Sequence, residues 1–264
     1  MSDFEWVGSQ KNFVDTLSIH KQGKITIGRF GGNSSAGQTK NEDGCLVWQN
    51  DQEDWEFAIL LDAHHTAESA ELIVQEFTRR KYTIKSLLSG SPKDAFKNIE
   101  ESVLQIFQNP EFLANCRKVK GSTSCLIVLR KDKYLWWFSV GDCILYLFHP
   151  ELKKLGQYQV NQRHFFEWIG EVNTFELPVT CYSLGRNELR KGNNHIFLTT
   201  DGLIECPGLP YNHPEKIQKE FLEGSNEYAV EALLKKIQSL NVRDSTTIIS
   251  WFVDSDQEAS LPCN

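Results

Sequence analysis

Four aspartates stand where short, strongly apolar runs begin or end: Asp62 closes FAILLD, Asp201 closes IFLTTD, Asp43 opens DGCLVW and Asp244 opens DSTTIISWFV. If these runs are antiparallel neighbours, the exit of one strand lies beside the entry of the next, and residues remote in sequence converge at one sheet end. With Glu42 beside Asp43, several anions would meet there. Each like-charged pair 4 Å apart repels by roughly 4 kcal/mol at an effective dielectric near 20. Divalent cations relieve that repulsion, and carboxylate, carbonyl and water oxygens suit Mg2+ or Mn2+ rather than zinc. The chemistry this predicts is metal-dependent hydrolysis. A two-metal site for a phosphate ester needs a bridging carboxylate, further carboxylates for each cation, and a water aimed in line at phosphorus. Asp62, ending the most apolar run, is the candidate bridge, and the carbonyl of Ala63 is placed to add an oxygen. His64 follows as a general acid for a leaving alkoxide, and Asp201 and Asp244 would hold the other side. Taken singly, an Asp-Gly after a strand is more often a turn than a ligand. The joint placement at consecutive strand ends is what points to a site.

The elements that must deliver these residues alternate along the chain. KITIGRF has the period of a half-buried strand, and the Gly-rich GGNSSAGQTK after it reads as a loop. CLVWQ and EFAILLD form a predicted hairpin around NDQED. From Thr66 the spacing turns helical, with Leu72, Ile73, Phe77 and Leu87 or Leu88 on one stripe of a single helix. A second helix is expected over Pro92–Phe107, with Pro92 in its first turn. TSCLIVLR, YLWWFSV and CILYLFH then read as a three-strand meander turning at KDK and GD. Residues 151–194 carry weaker signals and a candidate mobile, flap-containing segment. HIFLTTD is a strand, 227–240 a helix, and TTIISWFV a strand closing the sheet. Together they predict two antiparallel sheets covered by helices, an α+β chain.

Composition bounds the rest. The 264 residues contain no linker-like or repetitive stretch, so a single domain is expected over 1–264, with 1–23 as an N-terminal extension. A net charge of −7 argues against nonspecific binding to nucleic acid or anionic membrane. The first residues have no secretory pattern, and YLWWFSVGDCILYLF is too short and too interrupted to span a bilayer. Seven cysteines without a CxxC pair read as reduced thiols, so a cytoplasmic protein is expected. GRFGGNSSAG lacks the Gly-Lys-Ser/Thr and the spacing of nucleotide-binding loops, and Trp136-Trp137 read as packing rather than a ligand cage.

The residues also resemble a family, the metal-dependent protein phosphatases of type 2C, or PPM class, of which the chain looks like a divergent bacterial-type member. The resemblance rests on NED (Asn41, Glu42, Asp43), LLDAHHT from Leu60, KGSTSCLIVL with FSVGDCILYLF, TTDGLIE from Thr199, and RDSTTIISWFV, in the family's order. It implies a four-layer sandwich of two central antiparallel sheets flanked by pairs of helices. It also implies two Mg2+ or Mn2+ ions and one-step hydrolysis of phosphoserine and phosphothreonine by a metal-bridging hydroxide. Carried across, Asp62 is the bridging ligand, Ala63 supplies the carbonyl a glycine usually supplies, and Asp201 and Asp244 bind one metal. Glu42 and Asp43 act mainly through water, and His64 is the general acid. Asp142 in GDC and the Gly121-Ser122-Thr123 turn are expected to be structural. Gln38 stands where an arginine often clamps phosphate, leaving Lys40 as the nearby candidate for substrate binding as a point charge. The usual Asp-Gly-His-Gly-Gly reads Asp-Ala-His-His-Thr, Lys118 replaces an aspartate of a third metal site, and Ser245 replaces an asparagine. The implied partners are a phosphoprotein substrate and a cognate kinase, without nucleic acid or membrane, for a monomeric enzyme. Three alternatives stay open: a weakly active or inactive phosphatase-like binding module, a phosphatase acting on a non-protein phosphoester, and a structural Ca2+ site.

Overall fold

The computed structural model describes residues 2–260. One sheet contains β1 (Ser2–Val7), β4 (Gly44–Asn50), β5 (Trp55–His64), β6 (Ser122–Lys131), β7 (Tyr134–Val140) and β10 (Ser183–Glu188) in that spatial order, with short β9 (Ile169–Gly170) on β6. The other runs β2 (Leu17–Gln22), β3 (Ile25–Phe30), β12 (Thr246–Ser255), β11 (Gly192–Thr199), β8 (Ile144–Phe148). Every pairing is antiparallel. Helices α1 (Glu68–Arg79), α2 (Lys81–Leu88), α3 (Pro92–Phe107) and α4 (Pro110–Cys116) accompany the first sheet; α5 (Pro150–Lys154) follows β8; α6 (Pro214–Glu220) and α7 (Asn226–Ser239) accompany the second.

Strand parity explains the layering. Side chains alternate faces along a strand. Leu46, Trp48, Ile59 and Leu61 pack with Ile73, Phe77 and Val103 of the helices. Their neighbours Cys45, Val47, Ala58 and Leu60 meet Ile196, Leu198, Ile249 and Trp251 of the other sheet. Phe197 and Ile248 face outward onto Val230, Leu233 and Ile237 of α7. The result is helices, sheet, sheet, helices. Because both faces of the central strands are covered, they read as continuous apolar runs.

The expected α3 begins as predicted, with Ser91 Oγ accepting from Asp94 N (3.2 Å) and Pro92 in the first turn. Three expectations need correction. The helix predicted from Thr66 is two helices, broken at Arg80 (φ −96°, ψ 8°), whose N–H turns back to Phe77 and Thr78 carbonyls. Glu76 takes ion pairs from both Arg79 and Arg80 at the break. The GD turn does not continue a meander: β8 leaves β7 and pairs with β11 in the opposite sheet. Gly141 makes that crossing at φ +87°, where a Cβ would lie 2.3 Å from Ser124 Oγ. β12 does not close its sheet but lies inside it, between β3 and β11. Short α4, α5 and α6 carried no periodic signal. Residues 2–22 supply a strand to each sheet. Cys45, Cys116, Cys125, Cys143, Cys181 and Cys206 are free thiols, all but Cys181 buried, and Cys263 lies outside the described residues. No helix among the described residues is long and apolar enough to cross a membrane.

At one end of the space between the sheets, a buried carboxylate is closely paired. Glu56 is 0% exposed and accepts from Arg130 Nε at 2.6 Å, while Lys24 Nζ lies 2.6 Å from its other oxygen. Arg130 Nη1 also donates to the Asp54 carbonyl at 3.0 Å. Breaking one partner of a buried pair strands the other. Glu56→Ala should therefore lower unfolding stability by about 3–5 kcal/mol, read from urea denaturation; a loss under about 1 kcal/mol, the level of an exposed pair, would show that water screens this network.

A candidate metal centre at the acidic end of the sandwich

The opposite end of the same interlayer gathers a cluster of acids, Asp43, Asp62, Asp142, Asp201 and Asp244. Register brings four of them there in two pairs. Gly44 pairs with Leu61, so Asp43 before β4 and Asp62 near the end of β5 are neighbours on the face shared with Cys45 and Leu60. In the other sheet Thr199 pairs with Ile248, placing Asp201 beyond the end of β11 near Asp244 before β12. Asp244 lies near enough to Asp201 for its charge to oppose ionisation there.

Asp43 is fully buried and wrapped in hydroxyls. Thr247 Oγ1 donates to it at 2.7 Å, Ser245 Oγ at 3.0 Å and Thr200 Oγ1 at 3.4 Å. Asp62 is 3% exposed, and its Oδ2 has no hydrogen-bond partner among the described residues. Asp201 Oδ1 is likewise buried and unpartnered. Burial, then neighbouring acids, pushes these carboxyls upward: Asp43 to about 7 and Asp201 to about 8. Asp62 rises well above the carboxylate range, driven by burial and then by Asp201, Asp43, Asp244 and Asp142. Asp244, although exposed at the surface, is raised by the protein packed around its carboxyl, against the opposing pull of His64.

The remaining predicted residues line the rim. Ala63 is buried opposite Thr123 on β6. His64 is exposed, its ring edge-on to Trp168 at 4.9 Å. Glu42 pairs with Lys40, whose Nζ also donates to the His65 carbonyl, so in this arrangement Lys40 is spent on the loop. Gln38 is buried and accepts the Thr39 N–H at 3.1 Å. His65 adopts φ +80° where the resemblance has glycine. The turn is tied down by that Lys40 contact and by Thr66 Oγ1 donating to the Lys120 carbonyl. Gly121 beside it is required, since a Cβ would meet the His64 carbonyl at 2.1 Å. Asp142 accepts from Ser124 Oγ at 2.6 Å.

Sequence reading missed Arg163, Thr200 and Thr247. The two threonines were detectable by parity, because each lies an even number of residues from an inward-facing neighbour, Leu198 or Ile249. Arg163 gave no signal, being one basic residue in a polar stretch. Its Nη2 lies 2.7 Å from Glu205 Oε1, 3.5 Å from Asp142 Oδ2 and 3.8 Å from Asp201 Oδ2.

Among the described residues, no three His, Cys, Asp or Glu side chains are already arranged to hold one metal ion. Asp43 is held by the hydroxyls of Thr247, Ser245 and Thr200. The donor set nevertheless fits hard divalent cations: it is all carboxylate, and the buried Asp62 Oδ2 and Asp201 Oδ1 have no other partner.

No family model matches the sequence, and no curated protein matches it by sequence. Solved structures do. A bacterial serine phosphatase superposes with a TM-score of 0.69 at 14% identity, over 89% of this chain and 99% of that one. The chain has the fold of the bacterial PPM-type serine/threonine phosphatases. Stp1, a serine/threonine phosphatase from Staphylococcus aureus, matches with a TM-score of 0.68 at 14% identity, covering 88% and 95% of the two chains. RsbX, solved in complex with magnesium, matches at 0.54 and 14% identity over 90% and 100%. The PPM-type fold therefore spans nearly all of this chain, at a sequence divergence where function rests on the site rather than on the fold.

Proposed function

We propose that the chain hydrolyses phosphate monoesters with Mn2+ or Mg2+, and that its substrates are phosphoserine and phosphothreonine in proteins. The observation that carries this is the contrast between the two ends of one buried layer. Glu56 has Arg130 and Lys24 at close range, whereas Asp201 has only a 3.8 Å contact to Arg163 on one oxygen, and Asp62 Oδ2 and Asp201 Oδ1 are buried with no partner among the described residues. Buried charge persists only when compensated, and two divalent ions would compensate it.

Asp62, Asp201 and Asp244 would hold the cations, with Asp62 shared, and Ala63 would contribute its carbonyl. When bound, such ions polarise a phosphoryl oxygen and acidify water into a nucleophile. Thr247, Ser245 and Thr200 fix Asp43 behind them, and Glu42 with Asp43 would orient water at the margin. His64, exposed at the rim and braced by Trp168, would pass a proton to the leaving alkoxide.

Mn2+ should support cleavage of an aryl phosphate and of a phosphoserine peptide, and excess chelator should abolish both. Metal-independent turnover would sink the assignment. His64→Ala should slow the peptide by roughly 100-fold and the aryl phosphate, which needs no proton, by less than about 10-fold; equal losses would make His64 a positioning group. Gln38 and Lys40 favour a second reading, a phosphatase-like binding module of low activity, because neither offers phosphate a free cation. Metal binding without turnover on peptide or small phosphoester would select it.

A further inference from the structure

Arg163 combines features that a merely structural ion pair would not need. Its contacts to the cluster are long, 3.5 Å to Asp142 and 3.8 Å to Asp201, while its short contact, 2.7 Å, is to half-exposed Glu205 at the rim. It is thus shared between two sets of acids. Arg130, by contrast, closes tightly on Glu56 at the other end. Arg163 also fastens its own loop: its Nε donates to the Asp142 carbonyl at 3.1 Å, and the next N–H, of His164, donates to the Gly141 carbonyl at 2.9 Å. Trp168, five residues on, packs against His64.

We propose that Arg163 is a built-in counter-cation of the acidic end, competing with divalent cations for Asp201 and moving off Asp201 and Asp142 toward Glu205 when they bind. This rests on the metal-site reading above. A positive charge 3.8 Å from Asp201, which would hold a cation, would oppose that cation by Coulomb repulsion, so Arg163 sets how much cation the site demands. The same shift loosens the hold of residues 163–168 on the GD turn, coupling cation loading to the loop beside the proposed acid His64.

The test is Mn2+ titration by calorimetry on the full chain. Arg163→Gln is expected to bind about 10-fold more tightly than wild type, and Arg163→Lys, which keeps the charge, to fall between them. Glu205→Gln, which removes the alternative partner, should weaken binding in the wild-type background and have little effect when combined with Arg163→Gln, because it acts through the arginine. In wild type, Mn2+ should speed amide exchange over 163–168 while slowing it at the ends of β5 and β12; this readout needs no variant to fold. Equal or weaker binding by Arg163→Gln, or slower exchange in the loop on loading, would overturn the inference while leaving the metal site standing. No Mn2+ binding by any of these proteins would overturn both.

Discussion

Asp62→Asn is expected to abolish turnover and, at the same time, to make the metal-free protein more stable at pH 8. The first effect follows from the proposed shared position: losing the bridging carboxylate forfeits several kcal/mol of charge stabilisation in the transition state, roughly 1,000-fold or more in rate. The second follows from the apo electrostatics. Asp62 is buried among Asp201, Asp43, Asp244 and Asp142, all opposing its ionisation, and a neutral amide of the same shape removes that repulsion. An ordinary structural aspartate would show the reverse pattern, with stability falling and activity falling only in proportion. Near-normal turnover in this variant would exclude a bridging role. Reduced thermal stability in chelator would show that Asp62 is held by favourable contacts absent from this structure.

The second large effect is on stability against pH. Asp43 and Asp201 sit at about 7 and about 8 in the fold, against roughly 4 in an unfolded chain. Raised carboxyls make the folded state the better proton binder, so their contribution is fully present below the unfolded value and is lost as pH rises through 7 to 8. Buried His195 acts oppositely: burial drives it down to about 3. As pH falls below the unfolded value near 6.5, protons favour the unfolded chain. Between pH 6.5 and 8 the aspartates therefore dominate, and the melting temperature of chelated protein should drop by a few degrees. Saturating Mg2+ should flatten the profile and raise it most at pH 8, because cations replace the protons that the cluster otherwise needs. A melting temperature that rises over this interval in chelator, or an Mg2+ effect independent of pH, would contradict an acidic site whose carboxyls hold protons in the absence of metal.

Several parts of this molecule are legible in the sequence. Asp62 and Asp43 as neighbours followed from two apolar runs joined by an acidic turn, and α3 from Ser91, Pro92 and an apolar stripe. Both depend on local periodicity and turn chemistry, which a few residues carry entirely. The break at Arg80 was hidden because Ile84 and Leu88 keep a helical stripe across it, and the stripe says nothing about one residue's dihedrals. The partner of β8 was hidden for a different reason. A strand covered on both faces looks the same in either sheet, and Gly141 signals a turn without its direction.

By itself the sequence determined the inventory: which residues are acids, which strands they terminate, and which face each side chain takes by parity. The tertiary structure alone decided the compensation. Pairing Glu56 with Arg130 and Lys24 joins strand residues to a turn cation, and setting Arg163 between Asp201 and Glu205 requires a loop to fold back over the sandwich. Charge balance depends on distances of a few ångströms between chain-remote atoms, and no local pattern encodes those. That is why the acids could be counted from the sequence, while the contrast between the tightly paired Glu56 at one end of the layer and the loosely shared Arg163 at the other emerged from the fold.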